Sequence, residues 1–255
     1  MASPPSAAVP RRAAFGAGLS ALGAPGPAAL AQGAEAAAGH VVLLGDSVFD
    51  NAGYLAGRGA DVVGHLRGRL PSGWRATLLA RGGAVAADVP GQLGRLPPGA
   101  THLAVSAGGN DAGRQEGALA EPARSVAEGL ARIAAIRERF AQDYRAMLGA
   151  VAARRLPVSV CTVYDPRFAD PERRRVAVVA LSAFNDVVTR EAFARGLALV
   201  DLRLVCGGDA DFAGPTGPSA SGGAKIAAAL AGWAAGAGPG RRRRPEVFAE
   251  GEGGG

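Results

Sequence analysis

A three-layer α/β/α sandwich around a parallel sheet is the fold class this sequence predicts. Three observations carry it. Between residues 39 and 236, short apolar runs of strand length alternate with longer stretches of helical pattern. The clearest run, His40-Val41-Val42-Leu43-Leu44, has no polar alternation, as expected of a strand covered by helices on both faces. The runs give way to turn formers such as Gly45, Gly82-Gly83, Gly108-Gly109 and Asp201. Such alternation leads to parallel pairing through right-handed crossovers.

Each element follows in order. The first strand is His40 to Leu44, ending at Gly45. A helical stretch covers about 53–69. The second strand, Arg75 to Ala80, runs into Gly82-Gly83. A short helix spans about 88–96 and stops at Pro97-Pro98, because proline cannot continue a helix. The third strand is His102 to Ser106. A long helix over about 122–154 places Val126, Leu130, Ile133, Phe140, Tyr144, Met147 and Val151 on one face at helical spacing. Pro157 to Val163 is the fourth strand, and about 172–195 is helical, with Gly196 as its stop. Leu197 to Val200 is the fifth strand, and Ser219 to Trp233 the last helix. Five such strands form a flavodoxin-like sandwich. Chemistry in these folds collects beyond the carboxyl ends of the strands.

Composition narrows the function classes. Hydrophobic residues make up 48% and charged residues 20%, enough to build a core. The net charge of +6 suggests nucleic acid at first sight. Removing +1 for residues 1–38 and +1 for residues 239–255 leaves +4 on the central part, spread over many helices. With 5% aromatic residues there is little surface for base stacking, so no nucleic-acid partner is expected. Cys161 and Cys206 sit in no CxxC or CxxH spacing, which argues against zinc and for buried thiols. No G-x-G-x-x-G follows the first strand and no P-loop is present, so no nucleotide cofactor is indicated.

Both ends are compositionally distinct. Residues 1–38 are rich in Ala, Gly and Pro, and resemble a twin-arginine export signal through Arg11-Arg12 and Ala29-Leu30-Ala31. Export and a simple disordered extension of a cytoplasmic chain both fit. Ala13 to Ala31 is uncharged but interrupted by Pro25 and Pro27, so no membrane span is expected. Residues 237–255, with Arg241 to Arg244, read as a disordered tail. The domain between them is 39–236.

At the carboxyl edge, Gly45-Asp46-Ser47 follows the first strand and Gly109-Asn110-Asp111 the third. A serine there can serve as a nucleophile, and a side-chain amide beside a glycine N–H can hold an oxyanion. Each group also has a plainer role, Ser47 as a helix cap and Asn110 as a turn former. Their joint placement favours the chemical one.

These blocks resemble the SGNH (GDSL-type) hydrolase superfamily. The resemblance rests on Leu43 to Asn51, on Val105 to Asp111, on Phe184-Asn185, on Val200-Asp201-Leu202 and on Pro218 to Ala227, and it spans about 40–235. It implies an esterase-like mechanism on small esters or acylated carbohydrates. Ser47 would be the nucleophile, with its own N–H and the Asn110 side chain binding the oxyanion. The second-block backbone donor would fall on Ala86, or on Gly83 in a shifted register.

The last block departs from that pattern. Where the family supplies Asp-x-x-His, this chain has Gly214 and Gly217. Serine is a poor nucleophile without an adjacent base. His40 and His102 open strands at the opposite edge, and seven residues of strand separate His40 from Ser47, about 20 Å at 3.3 Å each. His65 lies within the first helix. Asp165, after the fourth strand, is the candidate replacement base, and Asp46, Gly109, Asp111 and Arg167 are candidate substrate contacts. Two readings follow: a hydrolase with an altered base, or a non-catalytic relative that binds a small ligand in the retained pocket.

Overall fold

The computed structural model describes residues 38–236 and 247–248. The five expected strands are present as β1 (His40–Gly45), β2 (Arg75–Leu78), β3 (His102–Ser106), β4 (Val158–Cys161) and β5 (Ala198–Val200). A two-residue strand, β6 (Val247–Phe248), pairs with β5, and it falls in the segment expected as a tail. The sheet order is β2-β1-β3-β4-β5-β6, and all five pairings are parallel.

Eight α-helices are described: α1 (Ala52–Leu55), α2 (Val62–Arg67), α3 (Val89–Leu93), α4 (Gly109–Gly113), α5 (Val126–Ala152), α6 (Pro171–Ala194), α7 (Leu202–Val205) and α8 (Ala220–Gly236). Successive residues of β1 point to opposite faces. Val41 and Leu43 join Val62 and Leu66 of α2 and Ile226 and Leu230 of α8. Val42 and Leu44 join Leu93 of α3, Phe140 of α5 and Phe184 of α6. Each of these side chains is buried, a transfer worth about 1.5–3 kcal/mol apiece.

Three details correct the sequence expectation. The helix expected over 53–69 is broken in two. Ala56, Gly57 and Gly59 have φ of 48°, 77° and 91°, and Asp61 restarts α2 by accepting a 2.7 Å bond from Gly64 N–H. β2 stops at Leu78, not Ala80, because the Leu79 and Ala80 amides both turn to the Leu43 carbonyl. On α5, Val126 and Leu130 belong by spacing to the same apolar face as Phe140 and Tyr144, but they are 81% and 63% exposed.

Both cysteines are buried, and neither forms a disulfide among the described residues. No helix among the described residues is long and apolar enough to cross a membrane. Residues 1–37, and with them the export-signal pattern, lie outside the described residues.

Candidate active site

The turn after β1 is built from the backbone outward. Gly45 has φ 111°, and a Cβ there would lie 1.7 Å from the Ser106 carbonyl oxygen, so only glycine fits. Both Gly45 backbone groups are held by Gln92 of α3, at 2.7 and 2.8 Å. Asp46 Oδ1 accepts bonds from the Val48 amide and the Ser106 hydroxyl, each 3.0 Å. These contacts fix the turn that presents Ser47. Burial drives the Asp46 carboxyl up to about 7; the two hydrogen bonds oppose that shift, and the Asp111 charge adds to it.

The loops after β2 and β3 are tied together. Asn110 Nδ2 donates to the Ala84 carbonyl at 2.9 Å, and Asp111 accepts from the Ala86 amide at 3.1 and 3.2 Å. Burial raises the Asp111 pKa, against that hydrogen bond. The expected backbone donor, Ala86, thus has its N–H committed to Asp111, and neither it nor Gly83 lines the cavity described next. Asn110 keeps one amide proton for a ligand, because an amide nitrogen carries two.

A cavity of about 700 Å³ opens at this edge. Asp46, Ser47, Gly109 and Asn110 line it. Its apolar lining includes Ile133 and Ile136 of α5 and Leu181 and Phe184 of α6. Tyr54 of α1 and Thr216 also line it. Ser47 is half-buried, and its hydroxyl has no hydrogen-bond partner among the described residues.

Asp165 and Arg167 do not line the cavity. The Asp165 charge acts instead on Arg203, which pairs with Asp201. Arg167 is a clamp for the 206–218 loop: its amide donates to the Pro215 carbonyl and its Nη2 to the Gly207 carbonyl, at 2.7 and 2.6 Å. Its Nε lies 3.0 Å from Asp209 Oδ1, a close charge pair without hydrogen-bond alignment.

No imidazole reaches Ser47. His40 bonds to Thr77 and His102 to Thr101, both at the amino edge, and His65 sits beside Arg69 on α2. The 206–218 loop, closed by a Phe212–Pro218 bridge, puts Gly214 and Gly217 where a dyad was expected. A Cβ on Gly217 would lie 2.7 Å from the Tyr54 ring. Tyr54, Gln92 and Ser106 escaped the sequence reading, because their roles depend on partners far along the chain. Among the described residues, no group of three or more His, Cys, Asp or Glu could hold a metal ion.

The sequence matches the model of the GDSL-like lipase/acylhydrolase family over residues 43–225. The chain belongs to that family. A search of curated protein sequences finds no match. Similar solved structures include the extracellular lipase of Streptomyces rimosus, 21% identical, with a TM-score of 0.55 over 77% of this chain and 100% of that one. The phospholipase A1 of Streptomyces albidoflavus is 21% identical, with a TM-score of 0.52 over 74% and 96% of the two chains. A carbohydrate acetylesterase of Sinorhizobium meliloti is 12% identical, with a TM-score of 0.54 over 78% and 99%. At these identities the likeness establishes the fold, a parallel sheet between layers of helices, and nothing finer.

Proposed function

We propose that this GDSL-family chain is a slow serine acylhydrolase acting on small esters or acylated carbohydrates. The carrying observation is that Ser47, Asn110 and apolar side chains of α5 and α6 line one cavity. The acyl part lies against the apolar lining from α5 and α6. The Ser47 oxygen bonds to the ester carbonyl carbon, and the carbonyl oxygen becomes an oxyanion held by the Ser47 and Asn110 N–H groups. The ester C–O bond breaks and the alcohol leaves with a proton. Water then adds to the acyl carbon, the acid departs, and Ser47 regains its proton.

The proton taken from Ser47 goes to Asp46. Asp46 lines the same cavity and titrates near the pH at which a general base works best. Asp165, expected to serve, stands outside the cavity. Without an imidazole, turnover remains far below that of a complete triad, at roughly 10³–10⁴ over water.

The test is p-nitrophenyl butyrate hydrolysis together with fluorophosphonate labelling read by intact mass. Slow release that is lost in Ser47→Ala, with one label on Ser47, is expected. A parent that neither hydrolyses nor labels overturns the reading. Gly214 and Gly217 favour a second reading, a binding protein without turnover. In that case Ser47→Ala leaves ligand binding unchanged while the parent shows no chemistry.

A further inference from the structure

Tyr54 occupies a position that the acylhydrolase reading does not use. It stands on α1, three residues after Asn51. Asn51 is wholly buried and ties three segments together. Its Nδ2 donates to the Pro218 carbonyl at 3.1 Å, its Oδ1 accepts from the Val62 amide at 2.9 Å, and its own carbonyl accepts from the Tyr54 amide at 3.0 Å. The first bond ends on the residue after Gly217. α1 and the 212–218 loop are therefore locked in register, and the Tyr54 ring is carried onto Gly217. Three ring atoms lie 2.7–2.9 Å from where a Cβ of residue 217 would stand. Residue 217 can only be glycine while the ring is there.

The same ring walls the cavity that Ser47 opens into. It thus fills the side of the pocket from which the 212–218 loop could present a base. From this we propose that Tyr54 is a plug: it stands in the space a general base for Ser47 needs, and removing the ring opens a site for a small imidazole-type heterocycle beside Ser47. Tyr54 is a positioning residue in this scheme, acting through what it keeps out. The proposal rests on Ser47 being the nucleophile.

The chemistry at the opened site balances with imidazole as the added co-reactant. Ser47 Oγ bonds to the carbonyl carbon of p-nitrophenyl acetate, imidazole takes the serine proton, and p-nitrophenolate leaves. The imidazolium then releases that proton to solvent. In the second half, neutral imidazole takes a proton from water as the water oxygen adds to the acyl carbon. The carbon–Oγ bond breaks, imidazolium returns its proton to Ser47 Oγ, and acetic acid departs and ionises in solvent.

The experiment compares the parent, Tyr54→Ala and Tyr54→Phe in full-length protein, with and without imidazole. Tyr54 is 39% exposed on a four-residue helix, so removing its ring leaves the core intact; thermal melts confirm folding. Tyr54→Ala is expected to gain at least tenfold in p-nitrophenolate release with imidazole. The gain saturates, follows the neutral form of imidazole with pH, and disappears in Tyr54→Ala/Ser47→Ala. Tyr54→Phe behaves as the parent, because the ring and not the hydroxyl is the plug. In parallel, imidazole shifts the Ser47 and Gly217 amide resonances of Tyr54→Ala but not those of the parent. This readout needs no turnover.

An equal imidazole response in parent and Tyr54→Ala, or no resonance shift in Tyr54→Ala, overturns the plug. Resonance shifts without any gain in release or fluorophosphonate labelling of Ser47 uphold the opened site and overturn the nucleophile assignment instead.

Discussion

The two rims of the cavity are built in opposite ways. On the serine rim, nearly every group has a partner. Gln92 holds Gly45, Ser106 holds Asp46, and Asn110 and Asp111 hold the backbone after β2. On the facing rim, the 212–218 loop offers two glycines and backbone carbonyls. Pro215, Thr216 and Pro218 give their carbonyls to Arg167, Tyr164 and Asn51. One rim is preorganised for charge development, and the other is packed as a wall. An oxyanion side and a base side are therefore separable parts of this fold, and each can be altered while the other stands.

The sharpest way to break the serine rim is Gly45→Ala. The added methyl meets the Ser106 carbonyl oxygen at 1.7 Å, and φ of 111° is strained for alanine in any surroundings. Overpacking and strain at one site cost about 2–6 kcal/mol together. Urea unfolding is expected to show that loss; a change below 1 kcal/mol contradicts the rigid-turn account. Asn110→Ala acts on chemistry more than on folding. If its amide binds the oxyanion, acylation of Ser47 falls by roughly 10²–10³, with about 1 kcal/mol of stability lost with the Ala84 bond. Acylation kinetics under single-turnover conditions separate the two effects.

Asp46 gives the rim a pH signature. Its folded pKa of about 7 stands above the ordinary aspartate value of 3.8. The folded state therefore holds the proton more tightly than the unfolded state. Its contribution to stability is full below the unfolded value, falls as pH rises through the interval, and is lost above about 7. That rise corresponds to about 4 kcal/mol at most. Asp46→Asn keeps an oxygen for Val48 N–H and Ser106 and has no charge to bury. It is expected to flatten the stability profile between pH 4 and 8 and to be more stable than the parent at pH 8. A parallel profile for parent and variant contradicts the assignment. The same variant loses the acylation step near pH 7 if Asp46 takes the serine proton.

The difference between the rims also explains what could be read in the sequence. Gly45-Asp46-Ser47 and Gly109-Asn110 were legible because each follows an apolar strand, and adjacent parallel strands bring them to one edge. What holds them was not legible: Gln92 and Ser106 act across 47 and 60 residues of chain. Asp165 and Arg167 lie at a strand end too, yet the chain turns them toward Arg203 and the 206–218 loop. Placement at an edge does not settle which way a side chain points. The broken helix before α2 was signalled by Gly57 and Gly59, but the apolar pattern on either side outweighed them. β6 is two residues long among charged neighbours, too short for any period to show.

The smallest expected effect tests whether the base rim can simply be refilled. Gly217→His alone brings a Cβ to 2.7 Å from the Tyr54 ring, so either the ring or the loop must shift, at about 1–3 kcal/mol. Gly214→Asp adds strain, because φ there is 125°, a region costing about 1–3 kcal/mol for a side chain. The double variant is expected to be less stable than the parent and to gain no more than a few-fold in ester hydrolysis. Adding Tyr54→Ala removes the collision at 217 but leaves the strain at 214. The triple variant should therefore regain stability and hydrolyse faster than the double, while Gly217→His/Tyr54→Ala without the aspartate should be the most stable of the histidine variants. If the double variant is as active as the triple, the Tyr54 ring does not govern that rim, and the loop backbone, through Gly214, is what keeps a base from Ser47.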